Sequence, residues 1–209
     1  MQISSETSLN LKLEQVATIL RIASWSSFLF QVGLGAISSV LLLLAISGRN
    51  FNQTIAPPPG VPNVGVTPTQ ATTPGLGIGI FWAICGILVL LFSSYLAFRL
   101  IRFSKRLRHP NSDIHPKRAK VVQVLRLGVI TGLIGMLLMI LGMGATIGVL
   151  LSKSIAQPQG VAIYDPNRII RSLDVFVAAA STTGITAHFI GMVVSLGIFN
   201  WLHRPLKAS

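Results

Sequence analysis

The chain has 209 residues, of which 51% are hydrophobic and only 11% are charged. A soluble domain carries about 25% charged residues, so this composition excludes an ordinary soluble globular protein. The net charge of +12 would suit nucleic acid, but the basic residues are not evenly spread along the chain. A single cysteine excludes a disulfide framework and any metal site built from several cysteines.

Four long apolar stretches predict four transmembrane helices, at about 28–48, 77–98, 127–151 and 173–202. Each is near or above the roughly 20 residues that a spanning helix needs. The first three contain no charged residue, whereas the fourth contains Asp174 and His188. We therefore predict an all-α, polytopic membrane protein, with residues 28–209 forming one four-helix membrane domain.

The segments outside the spans differ in character. Residues 1–27 place Leu9, Leu13, Val16, Leu20 and Ala23 on one helical face. This pattern predicts either an amphipathic helix on the membrane surface or a simple extension of the first span. The segment 49–76 is rich in proline and is expected to be a spacer without a core of its own. Residues 99–126 are predicted to form a basic cytoplasmic loop.

The basic residues predict an orientation. Of the 17 Lys and Arg residues, nine fall within 99–126, and the two termini add Lys12, Arg21, Arg204 and Lys207. Four spans put these regions on one side, so the positive-inside rule predicts a cytoplasmic location for both termini and the central loop. The loop also has a binding interpretation, because clustered cations attract anionic lipid headgroups or an acidic partner. The residues concerned are Arg102, Lys105, Arg106, Arg108, Lys117, Arg118 and Lys120.

Glycines in the third span predict close helix packing. Small residues let helices approach closely in lipid, where the hydrophobic effect gives little driving force for association. The glycines predicted to pack are Gly128, Gly132, Gly135, Gly144 and Gly148.

Ionisable and polar residues within the spans are the candidates for a transport pathway. Asp174 and His188 are fourteen residues apart and share one helical face with Ser181. Gln31 in the first span is a further candidate. A second interpretation remains open for both ionisable residues. His188 would be a neutral imidazole bonded to a neighbouring helix, and Asp174 would pair with Arg168 or Arg171 or suit the helix dipole.

Metal binding by this chain rests on few ligands. Among membrane residues, only Asp174 and His188 suit iron(II), while Met136, Met139, Met143 and Cys85 would favour copper(I). Methionines in an apolar helix are more often packing residues. No nucleotide-binding loop or catalytic motif is present in the sequence, so we expect neither an enzyme nor a resident cofactor.

Two regions resemble one known family. They are 127–153 (LGVITGLIGMLLMILGMGATIGVLLSK) and the words Leu173-Asp174-Val175-Phe176 and Ala187-His188-Phe189-Ile190-Gly191. They resemble the four-span chloroplast inner-envelope protein described both as a translocon component and as an iron permease, together with its cyanobacterial homologues. The distinctive words lie within about 117–200.

The resemblance implies an integral membrane protein that moves iron, as substrate rather than cofactor, across a cyanobacterial plasma or thylakoid membrane. The alternative it implies is a non-enzymatic factor in protein translocation or in assembly of a membrane complex. The expected partners are membrane lipids and either further copies of the chain or other membrane proteins, with no nucleic acid. The sequence does not show a transit peptide at its N-terminus, which favours the cyanobacterial members.

Overall fold

The computed structural model describes residues 2–51, 76–107, 118–155 and 172–203. These ranges form four helices: α1 (Gln2–Phe51), α2 (Leu76–Leu107), α3 (Arg118–Ile155) and α4 (Ser172–His203). No strand occurs within these ranges, and all four helices are long and apolar enough to cross a membrane. The prediction of an all-α protein with four spanning helices is confirmed.

The N-terminal segment, which the sequence pattern allowed to be separate, is continuous with the first span. The N-terminal segment runs into the first span as one helix, α1, so of the two alternatives the structure has the helical extension. Side chains before Ala17 lie outside the described residues. The Pro-rich segment, apart from its ends, also lies outside them.

The segment predicted as a basic loop is largely helical, which corrects the prediction for 99–126. Its first part, with Arg102, Lys105 and Arg106, is the end of α2, and Arg118 and Lys120 begin α3. Basic side chains favour the C-terminal turn of a helix because they face the negative end of its dipole, so they extend α2 rather than ending it. Arg108 and Lys117 lie outside the described residues.

The helices form an antiparallel bundle in chain order. Neighbouring helices pack around the ring from α1 to α4 and back to α1. Across the ring, α2 meets α4, whereas α1 and α3 hardly touch. We call the end of the bundle that holds Leu107 of α2 and Arg118 of α3 the basic end. The other end, with Ile155 and Ser172, is the opposite end.

The interior has an apolar cluster towards each end of the bundle. One is built on Leu20, Leu100 and Leu125, and the other on Leu42, Ala83 and Val177. Much of the outer surface is Leu, Ile, Val and Phe that remains exposed in the single chain. Such a surface suits lipid, because lipid tails are as apolar as these side chains. Between and around the two clusters lie the buried polar groups.

Candidate functional site

Helix α4 carries a buried polar residue at every seventh position. Asp174, Ser181, His188 and Ser195 are 1%, 0%, 0% and 9% exposed. Seven residues turn a helix by 700°, only 20° short of two full turns, so these four side chains follow one inward face. At 1.5 Å per residue they extend over about 31 Å, close to the roughly 30 Å of a hydrocarbon core. We call this row the α4 seam.

His188 lies at the middle of the bundle and contacts two other helices. Its Nε2 is 3.1 Å from the backbone oxygen of Gly86 on α2. Because a carbonyl can only accept, Nε2 carries the proton and donates, which leaves Nδ1 with a lone pair in the neutral ring. Nδ1 is buried and has no hydrogen-bond partner among the described residues.

Glycine makes the space for this imidazole. The ring lies against Gly135 of α3, where an added Cβ would overlap the ring atoms. A ring packed on a glycine and bonded to a carbonyl fits the hydrogen-bonded interpretation of His188. Its free Nδ1 keeps the pathway interpretation open, since a buried nitrogen lone pair is a proton or metal acceptor.

Met139 fills the layer beside the histidine. Its side chain lies between two glycines: a Cβ on Gly86 would be 2.8 Å from Met139 Cε, and one on Gly184 would be 2.6 Å from it. The fully buried Met139 is therefore tightly enclosed as a packing residue. Within the described ranges, no group of three or more His, Cys, Asp or Glu side chains could hold a metal ion.

Asp174 is held by Lys153, a partner that the sequence did not single out. Lys153 Nζ on α3 is 2.5 Å from Asp174 Oδ2, and both residues are buried. The two expected partners, Arg168 and Arg171, lie outside the described residues. Since Asp174 and His188 are about 21 Å apart along α4, they cannot bind one metal ion together. The position of Lys153 could have indicated the pair, because Lys153 follows the third predicted span and Asp174 begins the fourth, so both lie at the same end of the bundle.

Towards the basic end, the seam meets a network of neutral polar groups. Gln31 Nε2 on α1 donates to Ser27 Oγ at 3.2 Å, and Ser94 Oγ on α2 donates to Gln31 Oε1 at 3.4 Å. The Gln31 amide lies against Gly191, three residues after His188, where a Cβ would overlap it. Gln31 thus approaches α4 one turn from the histidine, at a glycine.

A small cavity lies next to this network. Its volume of about 10 Å³ is room for about one water molecule. Serines from three helices line it, among them Ser24, Ser93 and Ser195, together with Gly128. Ser24 Oγ is buried and has no hydrogen-bond partner among the described residues. Sequence reasoning missed these serines because a single serine in an apolar helix carries little signal; only their convergence from α1, α2 and α4 marks the site.

All four pathway candidates (Gln31, Asp174, Ser181 and His188) are buried inside the bundle. The structure aligns the three on α4 and brings Gln31 alongside them. It does not bring the two ionisable candidates together.

The packing glycines divide into two groups. Gly128, Gly132 and Gly135 face α4, where added Cβ atoms would crowd Ser195, Met192 and His188 respectively. Gly144 and Gly148 are different: an added Cβ on either would meet no described atom within 4 Å. The expectation that these last two pack helices together is therefore wrong within a single chain, because they lie on the outer face of α3.

Comparisons with known proteins agree with the resemblance inferred from 117–200. The chain is 40% identical over 132 residues to Protein TIC 21, chloroplastic, from Arabidopsis thaliana. The match covers 59% of this chain and 44% of that relative, so the chain spans less than half of the relative's length. No solved structure matches the chain. A family model described as Protein of unknown function (DUF3611) matches residues 10–203. The chain belongs to this family.

Proposed function

We propose that the protein moves a cation across its membrane along the α4 seam, and that it does so without enzymatic chemistry. The observation that carries this proposal is the seam itself, a row of buried polar residues that extends over the thickness of a hydrocarbon core. Polar groups at such depth are costly and are functional by default.

Iron(II) is the proposed cargo. The family resemblance implies iron, and the free Nδ1 of His188 is a ligand that iron(II) accepts. The described ranges hold no complete ligand set, so the ion would pass His188 with water completing its coordination shell. The seam is closed around His188, and passage therefore requires α4 to move against the helices that enclose it.

The proposed location follows from the same reasoning. The basic end would face the cytoplasm of a cyanobacterium, with both termini on that side, because positive charge is retained there during insertion. The membrane would be the plasma or the thylakoid membrane, as the resemblance implies.

Uptake of radioactive iron(II) into proteoliposomes tests the proposal. We expect wild-type vesicles to take up iron faster than empty liposomes, and His188→Gln, which keeps a side-chain N–H but removes the imidazole, to lose most of the increase. Thr186→Val is the matched control, since Thr186 is on the same helix but exposed, and its hydroxyl bonds only to the backbone of Thr182. Uptake no faster than in empty liposomes would contradict the proposal.

A second candidate function is that of a subunit in a translocation or assembly complex. The outward Gly144 and Gly148 favour it, because they interrupt a face otherwise formed by large residues such as Leu137, Ile140 and Leu141. Small residues at such a notch let another helix approach closely. Since no described atom fills the notch, Gly144→Leu with Gly148→Leu should leave the bundle intact while removing a larger complex from native gels. An unchanged complex would exclude this surface as the interface.

A further inference from the structure

The basic end of the bundle has a pattern that the transport proposal does not use. On α1, the basic Arg21 is followed at i+4 and i+7 by the aromatic Trp25 and Phe28. On α2, the aromatic Phe98 is followed at the same spacing by the basic Arg102 and Lys105. This spacing places each trio on one helical face. We call the six residues the aromatic–basic ladder.

Ring contacts join the two halves of the ladder. Phe28 and Phe98 have ring centroids 5.9 Å apart, and Trp25 meets Phe28 edge to face at 6.3 Å. The guanidinium of Arg102 lies 4.8 Å from the centroid of the Phe98 ring. The two helices therefore share one aromatic surface, and a cation is stacked on its side towards the basic end.

The helix register places the cations at similar depth. Ser104 Oγ donates to the backbone oxygen of Ala17 at 2.8 Å, which fixes α1 against α2 at this level. From this level, Arg21 is displaced by one turn along α1 and Arg102 by two residues along α2. Both displacements are towards the rings of Phe28 and Phe98. The side chains of Arg21 and Arg102 are both exposed. They therefore flank the same mouth of the groove between the two helices.

Among the side chains that the structure describes, the charge at this end is of one sign. The described side chains here include seven cations and no acid, because Asp174, the only acid with a described side chain, lies at the opposite end. The cations are Arg21, Arg99, Arg102, Lys105, Arg106, Lys120 and Arg126. No described carboxylate pairs with these cations, and such a cluster attracts anionic headgroups.

We propose that the aromatic–basic ladder binds one anionic membrane lipid. Its headgroup phosphate lies between Arg21 and Arg102, and its acyl chains follow the groove towards the membrane centre. A guanidinium stacked on a ring keeps its edge N–H groups free, and these suit the two oxygens of a phosphate. Trp25 is 43% exposed and Phe98 is 38% exposed. Aromatic rings at this level pack against the glycerol region, as in other membrane interfaces. An acidic protein would match the charge equally well, but it would not need the exposed rings at headgroup depth.

Fluorescence quenching by brominated lipids tests the site at Trp25. The full chain is reconstituted with Trp82→Phe and Trp201→Phe, so that only Trp25 emits. We expect brominated phosphatidylglycerol to quench Trp25 more strongly than brominated phosphatidylcholine at the same mole fraction. A second protein that keeps only Trp82, which lies near the opposite end, is expected to show no preference.

Charge variants distinguish a site from general attraction. A basic residue near the membrane surface contributes about fivefold to anionic-lipid binding, so Arg102→Gln is expected to lower the phosphatidylglycerol preference at Trp25 by about that factor. Arg126→Gln removes the same charge from α3 at the same end and is expected to leave the preference unchanged. Equal quenching by the two lipids, or equal loss in the two variants, would overturn the proposal. Because neither measurement involves iron, failure of the transport proposal leaves this result intact.

Discussion

The two ends of the α4 seam stabilise their buried polar groups by different interactions. At the opposite end, Asp174 and Lys153 form a buried ion pair between α4 and α3. At the basic end, neutral groups such as Gln31 and Ser27 share hydrogen bonds, and Ser24 Oγ has no partner among the described residues. A buried charge needs a full counter-charge, whereas a buried hydroxyl tolerates a missing partner at modest cost.

This difference bears on how the seam would open. Separating Asp174 from Lys153 would expose two charges to a low dielectric, while separating hydroxyls next to a small cavity would cost far less. If α4 moves during transport, the basic end opens more easily than the opposite end. The ion pair would then be the tighter of the two closures of the pathway.

The largest expected effect comes from breaking the ion pair at one partner. Asp174→Asn leaves the Lys153 ammonium buried without its counter-charge, and we expect it to lower the free energy of unfolding by about 3–5 kcal/mol. Unfolding of the purified protein in mixed micelles, with rising fractions of a denaturing detergent, measures the change.

The double variant Lys153→Met with Asp174→Leu supplies the control. Replacing a buried pair with apolar residues of similar volume is often neutral or stabilising, so stability should return to near the wild-type value. A double variant as unstable as Asp174→Asn would show that the lower free energy of unfolding does not come from the unpaired charge of Lys153. A single variant of wild-type stability would show that the two ends do not differ as described.

Much of the fold was accessible from the sequence because lipid imposes simple rules. Long, mostly apolar stretches are typical of spanning helices, and four such stretches predict the bundle. The limits of the helices were less accessible. The predicted spans 77–98 and 127–151 stop next to Arg99 and Arg126. The helices α2 and α3 continue through these residues, because a helix keeps its backbone hydrogen bonds in the headgroup region and in water alike.

The candidate site was only partly accessible. The separation of Asp174, Ser181 and His188 by multiples of seven marks one face of α4, and that face is buried. The Lys153 partner required knowledge of how α3 and α4 are aligned, which the pattern of a single helix does not contain. Likewise, sequence spacing alone cannot separate Gly135, which contacts His188, from the outward Gly144.

A smaller effect is expected from closing the space around His188. In Gly135→Ala, the new methyl group would overlap the imidazole, which is enclosed by α2 and α3 and cannot withdraw to solvent. Overpacking of this kind typically costs about 1–3 kcal/mol. The same detergent titration measures it, and Gly144→Ala is the matched control on the same helix.

Gly144→Ala should change stability little, because its methyl group would meet no described atom within 4 Å. Similar losses in the two variants would point to a general effect of replacing glycine in α3 rather than to the contact with His188. Destabilisation confined to Gly135→Ala would support the close approach of α3 to the middle of the seam.

The smallest effect separates two buried serines on α1. Ser38 Oγ donates to the backbone oxygen of Ala180 at 2.8 Å and so ties α1 to α4, whereas Ser24 Oγ has no partner among the described residues. Interhelical hydrogen bonds in membranes average about 0.6 kcal/mol. We expect Ser38→Ala to lose about that much, and Ser24→Ala to stay closer to the wild type in the same titration.

The two substitutions remove the same atom from the same helix, so their difference isolates the hydrogen bond. A loss at Ser24 equal to that at Ser38 would mean that the Ser24 hydroxyl is bonded through the small cavity beside it, as a bridging water would allow. The neutral end of the seam would then be held as firmly as a direct bond holds α1 to Ala180. Opening the neutral end would then cost more than we expect, and the two ends would no longer differ in how firmly they close a pathway.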